Sequence, residues 1–205
     1  MSRYTWLLDP GHGGLIDGVY QTNGKRSPKL PDGRTLYEGV FNRDIAARLI
    51  DIFHDSNTSV INLVDTNQDM PLRERVRKAN LLHQEKSNCI YVSIHANAYG
   101  DGQTFNSARG IGVYHHVHSS KGQKLAKVLQ PHLVRYTGFR DRGIKANETW
   151  ANFYVLRKTH MPAILSENGF MTNLNEVEKL FDNTVRQHIA KAHAAMIREV
   201  EKNGL

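Results

Sequence analysis

Two histidines and two glutamates stand where an α/β fold would gather side chains. His12 lies in the glycine-rich stretch "LLDPGHGGLIDG", Glu38 opens "EGVFNRDIAARLIDIFHD", His95 ends "YVSIH" and Glu167 ends "AILSE". Two imidazoles and one carboxylate can bind zinc and leave a fourth position for water, whose pKa falls to about 7 there. A second carboxylate can take the water's proton and pass it to a leaving amine. The residue types therefore suit metal-assisted amide hydrolysis. Their spacing alone is not diagnostic. The chain has no H-E-x-x-H helix or other short zinc motif, and the four residues are dispersed in a sequence with 11 histidines. Plainer roles stay open for each: a backbone-bonded loop or strand-end histidine, a helix-dipole charge at Glu38, a strand-end ion pair at Glu167.

The elements that must position these residues alternate between short β-rich runs and helical patterns, which predicts an α/β fold. Strands are read at "RYTWLLD", "SVINLVD", "CIYVSIHA", "GIGVYHHV", "NFYVLRK" and "PAILSENGF". Helices are read at "YEGVFNRDIAARLIDIFHD", "PLRERVRKANLLHQEK", "SSKGQKLAKVLQPHLVRYTG", "NEVEKLFD" and "TVRQHIAKAHAAMIREVEKNG". A proline opens the second, a serine and a glycine bound the third, and Ile189, Ala192, Met196 and Val200 form a core face on the last. The expected architecture is one domain over residues 1–205: a twisted, mostly parallel sheet of about six strands with helices on both faces. Ligands of such sheets bind at the carboxyl ends of the strands. His12, His95 and Glu167 all fall there. Residues 15–37 form the longest irregular segment, and loops of that length are often functional.

Composition narrows the function classes. With 205 residues, 40% hydrophobic and 23% charged, the chain is long enough for a core and has no low-complexity tract. No apolar run approaches the ~20 residues that cross a bilayer, so stable membrane insertion is not expected. The start, "MSRYTWLLDPGHGG", does not read as a signal peptide. Cys89 is the only cysteine, which excludes an internal disulfide and a thiolate-rich zinc site; its apolar run reads as buried strand. The net charge of +7 suits an anionic partner. No Lys/Arg block with interleaved aromatics is present, so no nucleic-acid partner is expected.

The blocks "LLDPGHGG", "YEGVFNRDIA", "PLRERVRKAN", "VSIHANA", "DRGIKA", "FYVLRKTHMPAILSENGFMTN" and "HIAKAHAAMI" follow one another in this order. As a set, spread over nearly the whole chain, they resemble the catalytic domains of the zinc-dependent N-acetylmuramoyl-L-alanine amidases of the amidase type 3 family. The resemblance implies one zinc ion held by His12, Glu38 and His95, with Glu167 as the catalytic carboxylate. It implies peptidoglycan as substrate, cut at the amide between the lactyl group of N-acetylmuramic acid and L-alanine, by a monomer acting at the cell wall, in the periplasm or outside the cell. With no signal read in this chain, a phage or prophage endolysin made in the host cytoplasm is one setting; an autolysin of wall remodelling is another. The glycines around His12 are expected to turn the backbone tightly and keep space open for metal and substrate.

The chain departs from the family pattern in two places. The segment before Glu38 is longer than usual, which makes Asp32 a local rival, although the E-x-x-x-N pattern at the helix start favours Glu38. The segment between Asn97 and Arg109 is short, which implies a cleft without the inhibitory helix of periplasmic relatives. Asp9 is expected to orient the turn or support a ligand. Asn97 and the loop 141–143 are open as wall contacts, with scaffolding the stronger reading. His116 and His118 share a strand face and could chelate a metal, although a polar edge is the stronger reading. Two rivals remain: a zinc peptidase acting on another peptide substrate, and a non-catalytic peptidoglycan-binding domain.

Overall fold

In the computed structural model, which describes residues 2–147 and 152–205, the chain begins with β1 (Thr5–Pro10), the small hairpin β2 (Leu15–Ile16) and β3 (Val19–Tyr20), then α1 (Glu38–Ile52) and β4 (Ser59–Asn62). It continues through α2 (Leu72–Lys86), β5 (Cys89–Asn97), β6 (Ile111–His116), α3 (Ser120–Thr137) and β7 (Asp141–Asn147). It closes with α4 (Tyr154–Lys158), β8 (Ala163–Phe170), α5 (Leu174–Phe181) and α6 (Asn183–Asn203). The main sheet has six strands in the order β4-β1-β5-β8-β6-β7. β4, β1, β5 and β8 run parallel, β6 joins β8 antiparallel, and β7 lies parallel to β6. The expected mostly parallel sheet is therefore present.

Strand alternation divides the core in two. Trp6 and Leu8 of β1, Ile90, Val92 and Ile94 of β5 and Ile164 of β8 pack with Phe41 and Leu49 of α1, Leu129 of α3 and Ile189 and Met196 of α6. The intervening residues Leu7, Tyr91 and Leu165 face the other way, against Val76 and Ala79 of α2 and Val155 and Leu156 of α4. One face thus carries three long helices and the other one long helix and one short turn of helix. The expected core face of the last helix holds, since Ile189, Ala192, Met196 and Val200 are all buried, and Cys89 is a buried strand residue. Among the described residues no helix is long and apolar enough to cross a membrane.

Two segments differ from expectation. "NFYVLRK" is not a strand; its last five residues form α4, where the adjacent residues Val155 and Leu156 are both buried. Two consecutive buried residues suit a helix face and break strand alternation; the aromatic and β-branched composition had suggested the strand. Residues 141–143 belong to a strand, not a loop. β7 is an edge strand with exposed Asp141 and Arg142 and a positive φ of 71° at Gly143, so it lacks the alternating apolar signal. Serine and glycine do bound α3: the Ser119 hydroxyl accepts the Gly122 N–H at 3.0 Å, and Gly138 ends the helix at φ 65°.

One buried titratable group ties α6 to the sheet. His193 is fully buried; its Nδ1 is 2.8 Å from the Ile189 carbonyl, which can only accept, so Nδ1 carries the proton and Nε2 accepts the Ser166 hydroxyl at 3.0 Å. Burial pushes its pKa down from 6.5 to about 4. Below pH 6.5 the unfolded chain takes up a proton that the folded chain refuses until about pH 4, so this contribution, complete above pH 6.5, is lost as pH falls across that window. Urea denaturation of wild type and His193→Gln at pH 7 and pH 4.5 should show a wild-type loss larger by about 2–3 kcal/mol; equal losses would show that His193 does not carry it.

Candidate metal centre and cleft

The site forms where β1, β5 and β8 end, on the thinly covered face. His95 and Glu167 are register partners on neighbouring parallel strands, so their side chains leave the sheet side by side, about 5 Å apart at the backbone. Glu38 arrives from the first residue of α1, whose N–H donates to the Lys25 carbonyl at 3.0 Å. His12 arrives from the turn after β1 with a φ of 64°, a left-handed conformation costly for a side-chain-bearing residue.

Three carriers hold this turn. The Arg75 guanidinium donates to the carbonyls of Pro10 at 2.8 Å and His12 at 2.9 Å, and to Met70 at 2.8 Å. Thr22 accepts the Gly13 N–H at 2.6 Å and donates to Asp69 at 2.8 Å. Asn42, one turn after Glu38, donates to the Gly11 carbonyl at 3.1 Å, which gives the E-x-x-x-N pattern a physical meaning: both polar groups face the turn. Asp9 sits one step back. It pairs with Arg75 at 2.6 Å and accepts the Ser93 hydroxyl at 2.7 Å, with both members of the ion pair buried. Burial raises the Asp9 pKa, but the adjacent guanidinium and hydrogen bonds outweigh it and hold the carboxyl below its usual range.

The glycines act differently from expectation. The left-handed residue is His12 itself, and the glycines permit close approach. A Cβ on Gly11 would overlap the His95 imidazole, and one on Gly39 would overlap the Gly13 carbonyl. The space they leave is filled by protein groups instead of being kept open for a ligand.

Glu38 lies between the two imidazoles. Its Oε2 is 3.1 Å from His12 Nε2 and its Oε1 is 2.9 Å from His95 Nδ1, and the Ala96 N–H reaches Oε1 at 3.3 Å. Burial pushes the Glu38 pKa up, but the hydrogen bonds from His12 and His95 reverse this and hold it far below the usual carboxylate range. For His95, burial lowers the pKa and the Glu38 carboxylate more than restores it, for a net rise. One donor atom from each of His12, Glu38 and His95 lies within 4.8 Å of the others, a set that could hold a metal ion. Two imidazole nitrogens and a carboxylate oxygen fit a borderline divalent ion.

Glu167 is in the opposite situation. It is buried, and its Oε2 has no hydrogen-bond partner among the described residues. Burial raises its pKa to about 8; His95 acts against this rise, Glu38 adds to it, and Lys25 also opposes it. All four residues line one cleft of about 1040 Å³, together with Lys25, Leu72, Asn97 and Phe153. Asn168 supports the site from behind by donating to the His95 carbonyl at 2.9 Å.

The remaining expectations sort as follows. Asp32 is exposed, pairs with Arg34 at 2.6 Å and does not line the cleft that holds the three donors. Asp141 accepts from Gln130 at 2.5 Å and from the Gly143 N–H at 2.7 Å, a scaffolding role. The His116 and His118 rings are 5.5 Å apart and line a separate cavity, with no third ligand converging among the described residues. Residues 98–110 contain no helix, so no inhibitory helix lies there. Arg75 and Lys25 carry no signal in the sequence that marks them out, whereas Asn42 is the asparagine of the E-x-x-x-N pattern.

Arg75→Met should leave Asp9 buried without its charge partner and cost about 3–5 kcal/mol of stability. A lowered urea midpoint at constant slope would show this, and adding Asp9→Asn should recover part of the loss. A midpoint within error of wild type would mean the pair is not what fixes the turn.

Comparison with known proteins follows the same line. A family model described as N-acetylmuramoyl-L-alanine amidase matches residues 7–199. N-acetylmuramoyl-L-alanine amidase CwlM of Bacillus licheniformis is 32% identical over 191 residues, covering 92% of this chain and 65% of that protein. The endolysin of Bacillus phage SPP1 is 30% identical over 208 residues, covering 98% of this chain and 66% of that protein. The chain thus spans just under two thirds of either curated relative. The crystal structure of an N-acetylmuramoyl-L-alanine amidase from Clostridium difficile 630 superposes with a TM-score of 0.81 at 29% identity, covering all of both chains. With the family match running from within β1 almost to the end of α6, the chain belongs to the N-acetylmuramoyl-L-alanine amidase family.

Proposed function

We propose that this chain is a single catalytic domain that hydrolyses the amide between the lactyl group of N-acetylmuramic acid and L-alanine in peptidoglycan. His12, Glu38 and His95 hold one zinc ion, and Glu167 moves the proton. The observation that carries this reading is the pairing of a three-donor cluster with a buried, unpartnered carboxylate in the same cleft. Family membership supplies the bond.

When bound, zinc supplies Lewis acidity, lowering the pKa of a water to about 7 and polarising a carbonyl. The protein's part is positional and electrostatic. Glu38, partnered and strongly acidic, stays an anion and serves as a donor. Glu167, whose pKa burial raises to about 8 while the three donors hold no cation and whose ionisation a bound cation eases, would take a proton from the attacking water and return it to the departing alanine amine. Free hydrogen-bonding capacity at Glu167 Oε2 suits a group whose partner is the reacting water. The wall is the place of action. Both a bacterial amidase and a phage endolysin are among the relatives, and this reading fits both settings.

Glu167→Gln should retain zinc by elemental analysis and lose about 10²–10⁴-fold in turnover on purified sacculi. His95→Ala should lose both zinc and turnover. Mass spectrometry of digested muropeptides should show a freed muramoyl carboxyl and an alanine amine, and a chelator should abolish both. A new terminus inside the peptide would assign the chain to a peptidase instead, and binding without products would leave it a wall-binding domain.

A further inference from the structure

Two cavities sit at the amino end of the parallel strands. One, of about 490 Å³, is lined by Lys121, Arg157 and the histidines His83, His116, His118 and His160. The other, of about 710 Å³, carries Arg3, Lys124 and Lys127. Tyr4 and Leu205 line both, and the Leu205 N–H donates to the Tyr4 hydroxyl at 3.0 Å, so the two cavities are continuous. Strand ends border this groove: Tyr4 precedes β1, Cys89 and Ala163 open β5 and β8, and His116 closes the antiparallel β6. Cys89 stands six residues before His95, or about 20 Å along the strand. The groove and the metal centre are therefore at opposite ends of the sheet.

The groove is basic and uncompensated. No Asp or Glu among the described residues lines either cavity, and none of the five Lys and Arg side chains there makes an ion pair among the described residues. Two carboxylates of α6 are already used elsewhere. Glu201 accepts the Arg3 and Tyr4 backbone N–H groups at 2.6 and 3.2 Å and the Trp6 indole N–H at 2.8 Å, and Glu199 pairs with His132 at 2.9 Å. Lys121, Lys124 and Lys127 are all exposed and recur every three residues of α3, a helix with no acidic residue, so their charges follow one another at about 4.5 Å of rise. His116 reflects the crowding: burial lowers its pKa, and His118, Arg157 and His115 lower it further. Like charges gathered without counterions repel, and a bound anion relieves that repulsion.

We infer that this groove binds a linear phosphodiester polymer of the wall and so holds the chain against its substrate while leaving the cleft free. The wall as the place of action rests on the amidase reading above. A row of fixed cations along an open groove matches an anion that recurs along a chain better than one small ion. Each phosphodiester keeps one charge near neutral pH, and its free oxygens accept from lysine, arginine and imidazole alike. Tyr4 is the only Tyr, Phe or Trp among the described residues lining either cavity, and its ring stands edge-on to Trp6 at 6.1 Å, so the groove offers no platform for stacking the bases of a nucleic acid.

The probe is a soluble poly(glycerol phosphate) chain titrated into the protein at several salt concentrations. Log K should fall with log salt at a slope of about −2 to −3. Lys121→Gln with Lys124→Gln should weaken binding about tenfold at low salt and flatten the slope by about one. Lys29→Gln with Lys191→Gln removes the same charge from exposed positions outside the groove and should stay within about twofold of wild type. The groove variant should digest walls that carry a phosphodiester polymer more slowly than wild type, and cut a soluble muramoyl peptide at the wild-type rate. Equal weakening by the two double variants overturns the groove as the site. Tighter binding of single-stranded DNA or polyglutamate with the same number of charges overturns the choice of partner. Displacement of the polymer by inorganic phosphate at equal phosphate concentration marks a site for single ions and overturns the polymer. Polymer binding by wild type with no products from any wall removes the amidase reading instead and leaves the groove standing.

Discussion

The buried guanidinium of Arg75 is the constraint on which the site's geometry depends. It reaches Asp9 and the carbonyls of Pro10, His12 and Met70, and so clamps the end of β1, the turn after it and the loop entering α2 onto one planar group. An apolar replacement of similar volume could match the stability of such a pair, because desolvating two charges offsets much of their attraction. It could not supply four directed donors. The His12 carbonyl points at Arg75 because His12 is left-handed, and that same twist turns its ring towards Glu38. A conformation costing about 1–3 kcal/mol is held by hydrogen bonds the neighbouring segments must satisfy anyway.

The cleft follows from uneven coverage of the sheet. Three long helices seal one face, which is mostly apolar, with the buried Ser166, Asn168 and His193 forming a hydrogen-bonded polar group within it. Among the described residues only α2 and the short α4 pack on the other, and the first residues of both line the cleft. Strand alternation puts Asp9, Ser93, His95 and Glu167 on that side, interleaved with the apolar residues of the sealed face. A shift of one residue in the register of β5 against β8 would exchange the two sets. The pairing of His95 with Glu167 is therefore specified by the apolar residues around them as firmly as by any contact of their own.

Much of this was legible in the sequence, for identifiable reasons. Central strands bury both faces and read as apolar runs, so β1, β5, β6 and β8 stood out. The edge strand β7 buries little and reads as polar, and α4 uses residues that also suit a strand. Glu38 was separable from Asp32 because a helix start fixes which side chain points inward. Arg75 was not separable from Arg73, Arg77 and Lys78, since only the phase of α2 against the sheet decides which of four cations is buried. Lys25 lies in an irregular segment with no period to read; its position depends on a backbone hydrogen bond to Glu38 that no local pattern announces.

The two carboxylates show how the same side chain can behave in opposite ways within one cleft. Both are buried, and burial alone would raise both pKa values. Glu38 faces two imidazoles and an amide N–H, and its charge is more than compensated. Glu167 has no hydrogen bond to its buried oxygen, and the anion at Glu38 adds to the cost of ionising it. Each shift thus reinforces the other: the more firmly Glu38 is held as an anion, the more readily Glu167 keeps a proton. Environments that push two carboxyl pKa values apart in this way suit one to hold charge and the other to exchange a proton. Any cation brought to the three donors would act on Glu167 in the opposite sense to Glu38 and ease its ionisation. The basicity of Glu167 therefore depends on what charge the neighbouring cluster holds.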